Sequence, residues 1–182
     1  MRVIAGRLGG RRLKAPRGRA TRPTSDRVRE ALFATLGELG GASVLDVFAG
    51  TGSLGIEALS RGAGSAVFVE RSAGAVRVLR ANLEALGIDA GAAEVRRADA
   101  LAALRSARAR KETYDLIFID PPYSQARGWG PELSAILPSL LAPAARIIVE
   151  SDWRAPLELE LEVEVARRLR YGDTSITIHC PQ

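Results

Sequence analysis

Two rhythms of apolar residues alternate along the chain. Short, largely apolar runs near 43–47, 66–70, 93–97, 114–119 and 146–150 read as buried strands. Between the first four, near 53–62, 72–86 and 99–109, apolar positions fall three and four apart and predict amphipathic helices. Alternating strand and helix predicts a parallel sheet with helices on both faces. Before this core, Thr24-Ser25-Asp26 offers N-cap residues to a helix from about Arg27 to Leu39, ending at Gly40-Gly41. Its apolar side is Val28, Leu32, Phe33, Leu36 and Leu39. Val3 through Leu13 predicts a short β-hairpin turning at Gly9-Gly10. A Gly- and Trp-containing loop over 124–130 precedes a helix to about Leu141. Leu157 through Val165 alternates strictly with glutamate, which predicts a half-buried strand even though Leu and Glu favour helix. Two last strands meeting at Tyr171-Gly172-Asp173 close the sheet as an antiparallel hairpin. No internal repeat or linker divides the chain, so one domain is expected.

The chemistry lies where the strands stop. Asp120-Pro121-Pro122-Tyr123 follows the run Tyr114 to Ile119 directly, placing a carboxylate, free carbonyls and an aromatic ring at the C-terminal rim of the sheet. Ligands of open α/β sheets bind at that rim. The set suits attack by an exocyclic amine, whose lone pair is delocalised into its ring. Asp120 and the Pro121 carbonyl are candidate acceptors for the two amine hydrogens, Pro122 stiffens the turn, and Tyr123 is a stacking surface. Proline brings no competing N–H. The plainer reading of the tetrapeptide is an acidic strand end followed by a proline turn.

Upstream, residues 43–62 read as a strand, a glycine-rich turn and a helix, with Gly50, Gly52 and Gly55 fitting G-x-G-x-x-G. That spacing keeps a dinucleotide ligand in play. Asp46, four positions before Gly50, favours instead a ligand with a cationic amine and sulfonium, S-adenosylmethionine. Glu70 ends the second strand, where an acid accepts ribose hydroxyls, although such an acid serves NAD equally well. Asp99 ends the third strand and is a candidate for the adenine amino group. Each of these acids alone is also explained as a helix N-cap. Four in succession, Asp46, Glu70, Asp99 and Asp120, form a series that caps alone do not readily produce.

The sequence resembles the bacterial small-subunit ribosomal RNA guanine-N2 methyltransferases, a class I family using S-adenosylmethionine. The resemblance runs through Arg2-Val3-Ile4-Ala5-Gly6, Arg22-Pro23-Thr24, the stretch 27–33, 45–52, the stretch Gly55 to Ala63, Phe68-Val69-Glu70, Asn82-Leu83, 120–123 and 171–174. The stretch Gly55 to Ala63 with Arg22-Pro23-Thr24 is its specific part. It implies a Rossmann-like, seven-stranded, mostly parallel sheet with helices on both faces and a short N-terminal β-hairpin extension. Asp46, Phe48, Gly50, Gly52, Glu70 and Asp99 are the implied cofactor residues, with Thr24 and Asn82 as second-rank candidates. Asp120, Pro121, Pro122 and Tyr123 are the implied catalytic set. The implied partner is small-subunit ribosomal RNA or the assembling small subunit.

Bulk properties narrow the field. The 182 residues are 47% hydrophobic, enough for one real core, and no apolar stretch approaches the ~20 residues of a membrane span. A cytoplasmic location is expected. His179 and Cys180, the only residues of their kinds, end an alternating run and read as strand residues, so neither a disulfide nor a metal site is expected. The net charge of +5 is uneven. Residues 1–29 hold ten Lys or Arg against the single acid Asp26, leaving a mildly acidic remainder. Arginine abundance explains why the basic residues are Arg but not why they cluster. A basic arm over residues 1–24, carrying Arg2, Arg7, Arg11, Arg12, Lys14, Arg17, Arg19 and Arg22, is the expected RNA contact, followed by a methyltransferase domain over 25–182. A monomer is expected.

These expectations combine in direct methyl transfer to a base flipped from its stack. The rivals are adenine-N6 or glutamine-N5 transfer, whose families typically carry Asn before Pro-Pro-Tyr, a dinucleotide oxidoreductase, and a non-catalytic assembly factor that uses only the arm.

Overall fold

The computed structural model describes residues 1–15, 25–122, 128–161 and 164–180. Helix and strand alternate from α1 (Asp26–Leu36) and β1 (Ser43–Asp46) through α2 (Ser53–Ser60), β2 (Ser65–Val69), α3 (Ala73–Ala85), β3 (Ala93–Arg96), α4 (Ala100–Ala109) and β4 (Tyr114–Ile119). Then come α5 (Gly130–Ile136) with a 3-10 turn after it, β5 (Leu141–Asp152), β6 (Glu164–Tyr171) and β7 (Thr174–Cys180). The seven strands form one sheet in the order β3-β2-β1-β4-β5-β7-β6. All neighbours from β3 to β5 are parallel, and β7 is antiparallel to both β5 and β6. The chain reverses direction across the sheet between β1 and β4, and this switch point opens a crevice at the strands' C-terminal ends.

Alternation along the central strands splits the core in two. Leu116 and Phe118 of β4 face α1, α2 and α3, where the Phe33 ring packs on Phe118 at 5.8 Å between centroids. Ile117 and Ile119 face α4 and α5 on the opposite side. A strand buried on both faces is continuously apolar for this reason, and it holds the rim residue Asp120 on a rigid base.

Three segments differ from the pattern's expectation. Helix α1 stops at Leu36 because Gly37 takes a left-handed φ of 70° and returns its N–H to the Phe33 carbonyl, before Gly40 is reached. The N-terminal segment doubles back through Gly9-Gly10, but it is not a ladder of strands. A 3-10 turn over Gly6–Leu8 leaves one antiparallel bridge, Arg2 to Arg12, with Val3 N–H donating to the Arg11 carbonyl. Val3, Leu8 and Leu13 are buried in the main core, so residues 1–15 are built into the domain.

The third difference is a correction. Leu157 to Leu161 belongs to no strand, and the edge strand begins only at Glu164. Leu157 is buried, Leu159 and Leu161 pack against the same cluster, and Glu158 and Glu160 are exposed. The alternation is therefore real, but it comes from an extended segment lying along α5. The Glu160 N–H donates to Ser134 Oγ at 2.8 Å, and Gly130 lies so close that a Cβ there would meet the Glu158 carbonyl oxygen at 2.6 Å. Period-two burial needs an extended chain on a surface, not a sheet neighbour.

Candidate active site

Asp46 ends β1 and is 1% exposed. Its Oδ2 accepts the Gly55 N–H at 3.1 Å, tying the strand end to the first turn of α2. Burial raises its pKa to about 7, with the Gly55 N–H opposing the rise and the nearby Glu70 charge adding to it. Glu70, one residue past β2, is held differently. One carboxylate oxygen accepts the Gly50 N–H at 3.0 Å and the other the Ser72 N–H at 2.6 Å. It thus clamps the glycine turn to the start of α3.

The three glycines of the turn serve separate ends. Gly50 has φ 55° and open space where a Cβ would stand, so a ligand can approach its backbone there. At Gly52, φ 88°, a Cβ would strike the Leu79 side chain at 2.3 Å, and at Gly55 it would strike the Phe68 ring at 2.3 Å. Packing on α3 and β2, rather than room for a ligand, explains the second and third.

Asp120 follows β4 at the switch point, with Pro121 buried and Pro122 exposed beyond it. Its pKa is pushed well above the usual carboxylate range, first by burial, then by the charges of Glu150 and Asp46. Glu150 was not among the expected site residues. It ends the run 146–150, and β5 pairs Val149 with Ile119, so Glu150 reaches the rim beside Asp120. Glu150 closes its apolar run as the other four acids close theirs, although β5 itself continues to Asp152.

The other expected site residues stand in different settings. Phe48, in the turn after β1, stacks on Trp129 at the start of α5 with centroids 5.0 Å apart. Asp99 is exposed and caps α4, its Oδ1 accepting the Leu101 and Ala102 N–H groups. Ser25 caps α1, its Oγ accepting the Val28 N–H. Asn82 is buried, and its amide contacts the backbone of Lys14 and Thr51. Arg2, Arg7, Arg11, Arg12 and Lys14 are all exposed along the docked N-terminal segment. Thr24, Arg17, Arg19, Arg22 and Tyr123 lie outside the described residues. Among the described residues no group of three or more His, Cys, Asp or Glu is placed to hold a metal ion, and no helix is long and apolar enough to cross a membrane.

A buried carboxylate beside an open glycine backbone, with two more acids on neighbouring strand ends, fits a ligand bearing positive charge. A dinucleotide pyrophosphate would instead meet these acids unfavourably. With the 3-2-1-4-5-7-6 sheet, this rim defines a class I methyltransferase fold.

The family described as Conserved hypothetical protein 95 matches residues 1–180, and the chain belongs to that family. It is 39% identical to the YlbH protein of Bacillus subtilis (strain 168) over 186 aligned positions, covering 98% of each chain. With the ribosomal RNA small subunit methyltransferase D of Escherichia coli (strain K12) it shares 40% identity across 84% of this chain and 75% of that protein. Among solved structures, the yhhF protein of Escherichia coli superposes with a TM-score of 0.84 at 34% identity, covering 100% of this chain and 98% of the other.

Proposed function

We propose that this protein methylates the exocyclic N2 of a guanine in small-subunit ribosomal RNA. The methyl donor is S-adenosylmethionine, which supplies an electrophilic methyl group. The observation that carries the guanine reading is Asp120, an aspartate rather than an asparagine before Pro121-Pro122, at the switch point and beside Asp46. The names of the curated relatives support ribosomal RNA as the substrate, and the five exposed basic residues of the docked N-terminal segment suit its phosphates.

In this reading Asp46 faces the positive charge of the methionine end, the open backbone at Gly50 admits it, and Glu70 and Asp99 address the ribose and adenine. Asp120 and the Pro121 carbonyl accept the hydrogens of the guanine amine and orient its nitrogen, and Tyr123 stacks on the base. A new nitrogen–carbon bond forms as the sulfur–carbon bond breaks, and the sulfonium leaves as a neutral thioether. The methylated nitrogen is strongly acidic at that instant, so its proton passes to Asp120 or to water. Raised basicity suits Asp120 to that last step. Much of the acceleration comes from orientation, worth up to roughly 7–11 kcal/mol in favourable systems.

The test is transfer of a labelled methyl group to small ribosomal subunits lacking the modification, followed by digestion and identification of the nucleoside. N2-methylguanosine supports the proposal. N6-methyladenosine, or transfer only to DNA or protein, overturns it.

A further inference from the structure

Asn82 sits on α3 and is 2% exposed. Its side chain nevertheless joins three separate pieces of chain. Nδ2 donates to the Thr51 carbonyl at 3.1 Å, in the middle of the glycine turn, and to the Lys14 carbonyl at 3.1 Å. Oδ1 accepts the Lys14 N–H at 2.8 Å. Two carbonyls on one side and an N–H on the other admit only this orientation of the amide. A side chain that merely capped or packed within its helix would not need that arrangement.

Glu70 holds Gly50 N–H, Asp46 holds Gly55 N–H, and Asn82 holds the carbonyl between them at Thr51. The turn that meets the methyl donor is thus fixed at three points, and the third is shared with the basic N-terminal segment. That segment is docked elsewhere by α2. Glu57 accepts the Ile4 and Ala5 N–H groups at 2.7 and 3.1 Å, and Ser60 Oγ accepts the Leu8 N–H at 3.0 Å. Among the described residues, Asn82 is the side chain that bonds both the segment and the turn.

We infer that Asn82 is a positioning residue that sets the donor-binding turn and links it to the basic segment, so that donor and RNA strengthen each other's binding. The inference rests on the methyltransferase reading above. Linkage of this kind is reciprocal and typically changes affinity 5- to 150-fold.

The test compares Asn82→Asp, Asn82→Ala and Ser60→Ala with the intact protein, using S-adenosylhomocysteine and a small-subunit ribosomal RNA transcript, well below each melting temperature. Asn82→Asp keeps the acceptor for Lys14 N–H but turns an oxygen toward both carbonyls. Expected for it are S-adenosylhomocysteine binding weakened about tenfold, a raised KM for the donor with kcat little changed, and loss of the tightening of RNA binding by S-adenosylhomocysteine. Asn82→Ala should weaken donor binding similarly. Ser60→Ala loosens the segment but not the turn, so its donor affinity should stay within about twofold. Asn82 variants that melt earlier yet bind S-adenosylhomocysteine as tightly as the intact protein would reduce Asn82 to a packing role and overturn the inference. An intact protein that binds no S-adenosylhomocysteine would instead remove the methyltransferase reading on which it stands.

Discussion

The two sides of the glycine turn are built on opposite electrostatic plans. Toward β2, Glu70 has both oxygens engaged by backbone N–H groups, which fixes the Gly50 turn before any ligand arrives. Toward β4 and β5, Asp46, Asp120 and Glu150 crowd one end of the sheet, and both aspartates are held above the usual carboxylate range. On one side a single carboxylate is held by two backbone N–H groups, and on the other the acids press on one another. Preorganised hydrogen bonds supply shape, whereas buried like charges leave a site that gains most when a cation enters it.

The largest effect expected from breaking this contrast is on Asp120. Asp120→Ala should lower kcat by at least about 10²-fold, in the range of general acid–base residues, in a single-turnover methyl-transfer assay. S-adenosylhomocysteine affinity should hold within a few-fold, because Asp46 and the glycine turn keep their hydrogen bonds. Next is Asp46→Asn, for which donor binding and stability should move in opposite directions. In the folded protein Asp46 keeps its proton to about pH 7, while in the unfolded chain it loses it near 3.8. The group therefore lowers stability progressively as pH rises through that window, by up to roughly 4 kcal/mol above it. Calorimetry should show Asp46→Asn melting higher than the intact protein at pH above about 7 and at the same temperature near pH 4.

On the β2 side, Glu70→Gln retains one acceptor and turns an amide toward the other N–H. We expect a loss of about 1–3 kcal/mol in denaturant unfolding. The smallest effect should come from Trp129→Leu. The stack with Phe48 joins the two sides and is worth about 0.5–1.5 kcal/mol, so donor affinity should fall only a few-fold, read by titration.

How much of this was legible in the sequence depends on range. The central strands and the helices between them announced themselves, because continuous burial and 3.6-residue spacing are local consequences of a sandwiched parallel sheet. Asp46, Glu70 and Asp120 were legible for a related reason: a strand end in such a sheet is a rim position, whatever the tertiary detail. The reasons behind single residues were less so. Gly52 excludes a side chain because Leu79 of α3 presses on it, and Asn82 reaches Lys14, 68 positions away. No spacing rule encodes such contacts. The Leu157 to Leu161 run failed for another reason, since its period reports a surface against α5 as faithfully as it would a strand.

The most direct test of the contrast is the affinity for S-adenosylmethionine followed calorimetrically from about two pH units below 7 to about one above, in the intact protein and in Asp46→Asn. The intact protein should bind progressively tighter up to about pH 7 and level off above it, releasing a proton on binding at the acid end. The variant should bind more weakly and lack that rise. An affinity of the intact protein that does not change across this range, or a rise that survives in Asp46→Asn, would contradict the account.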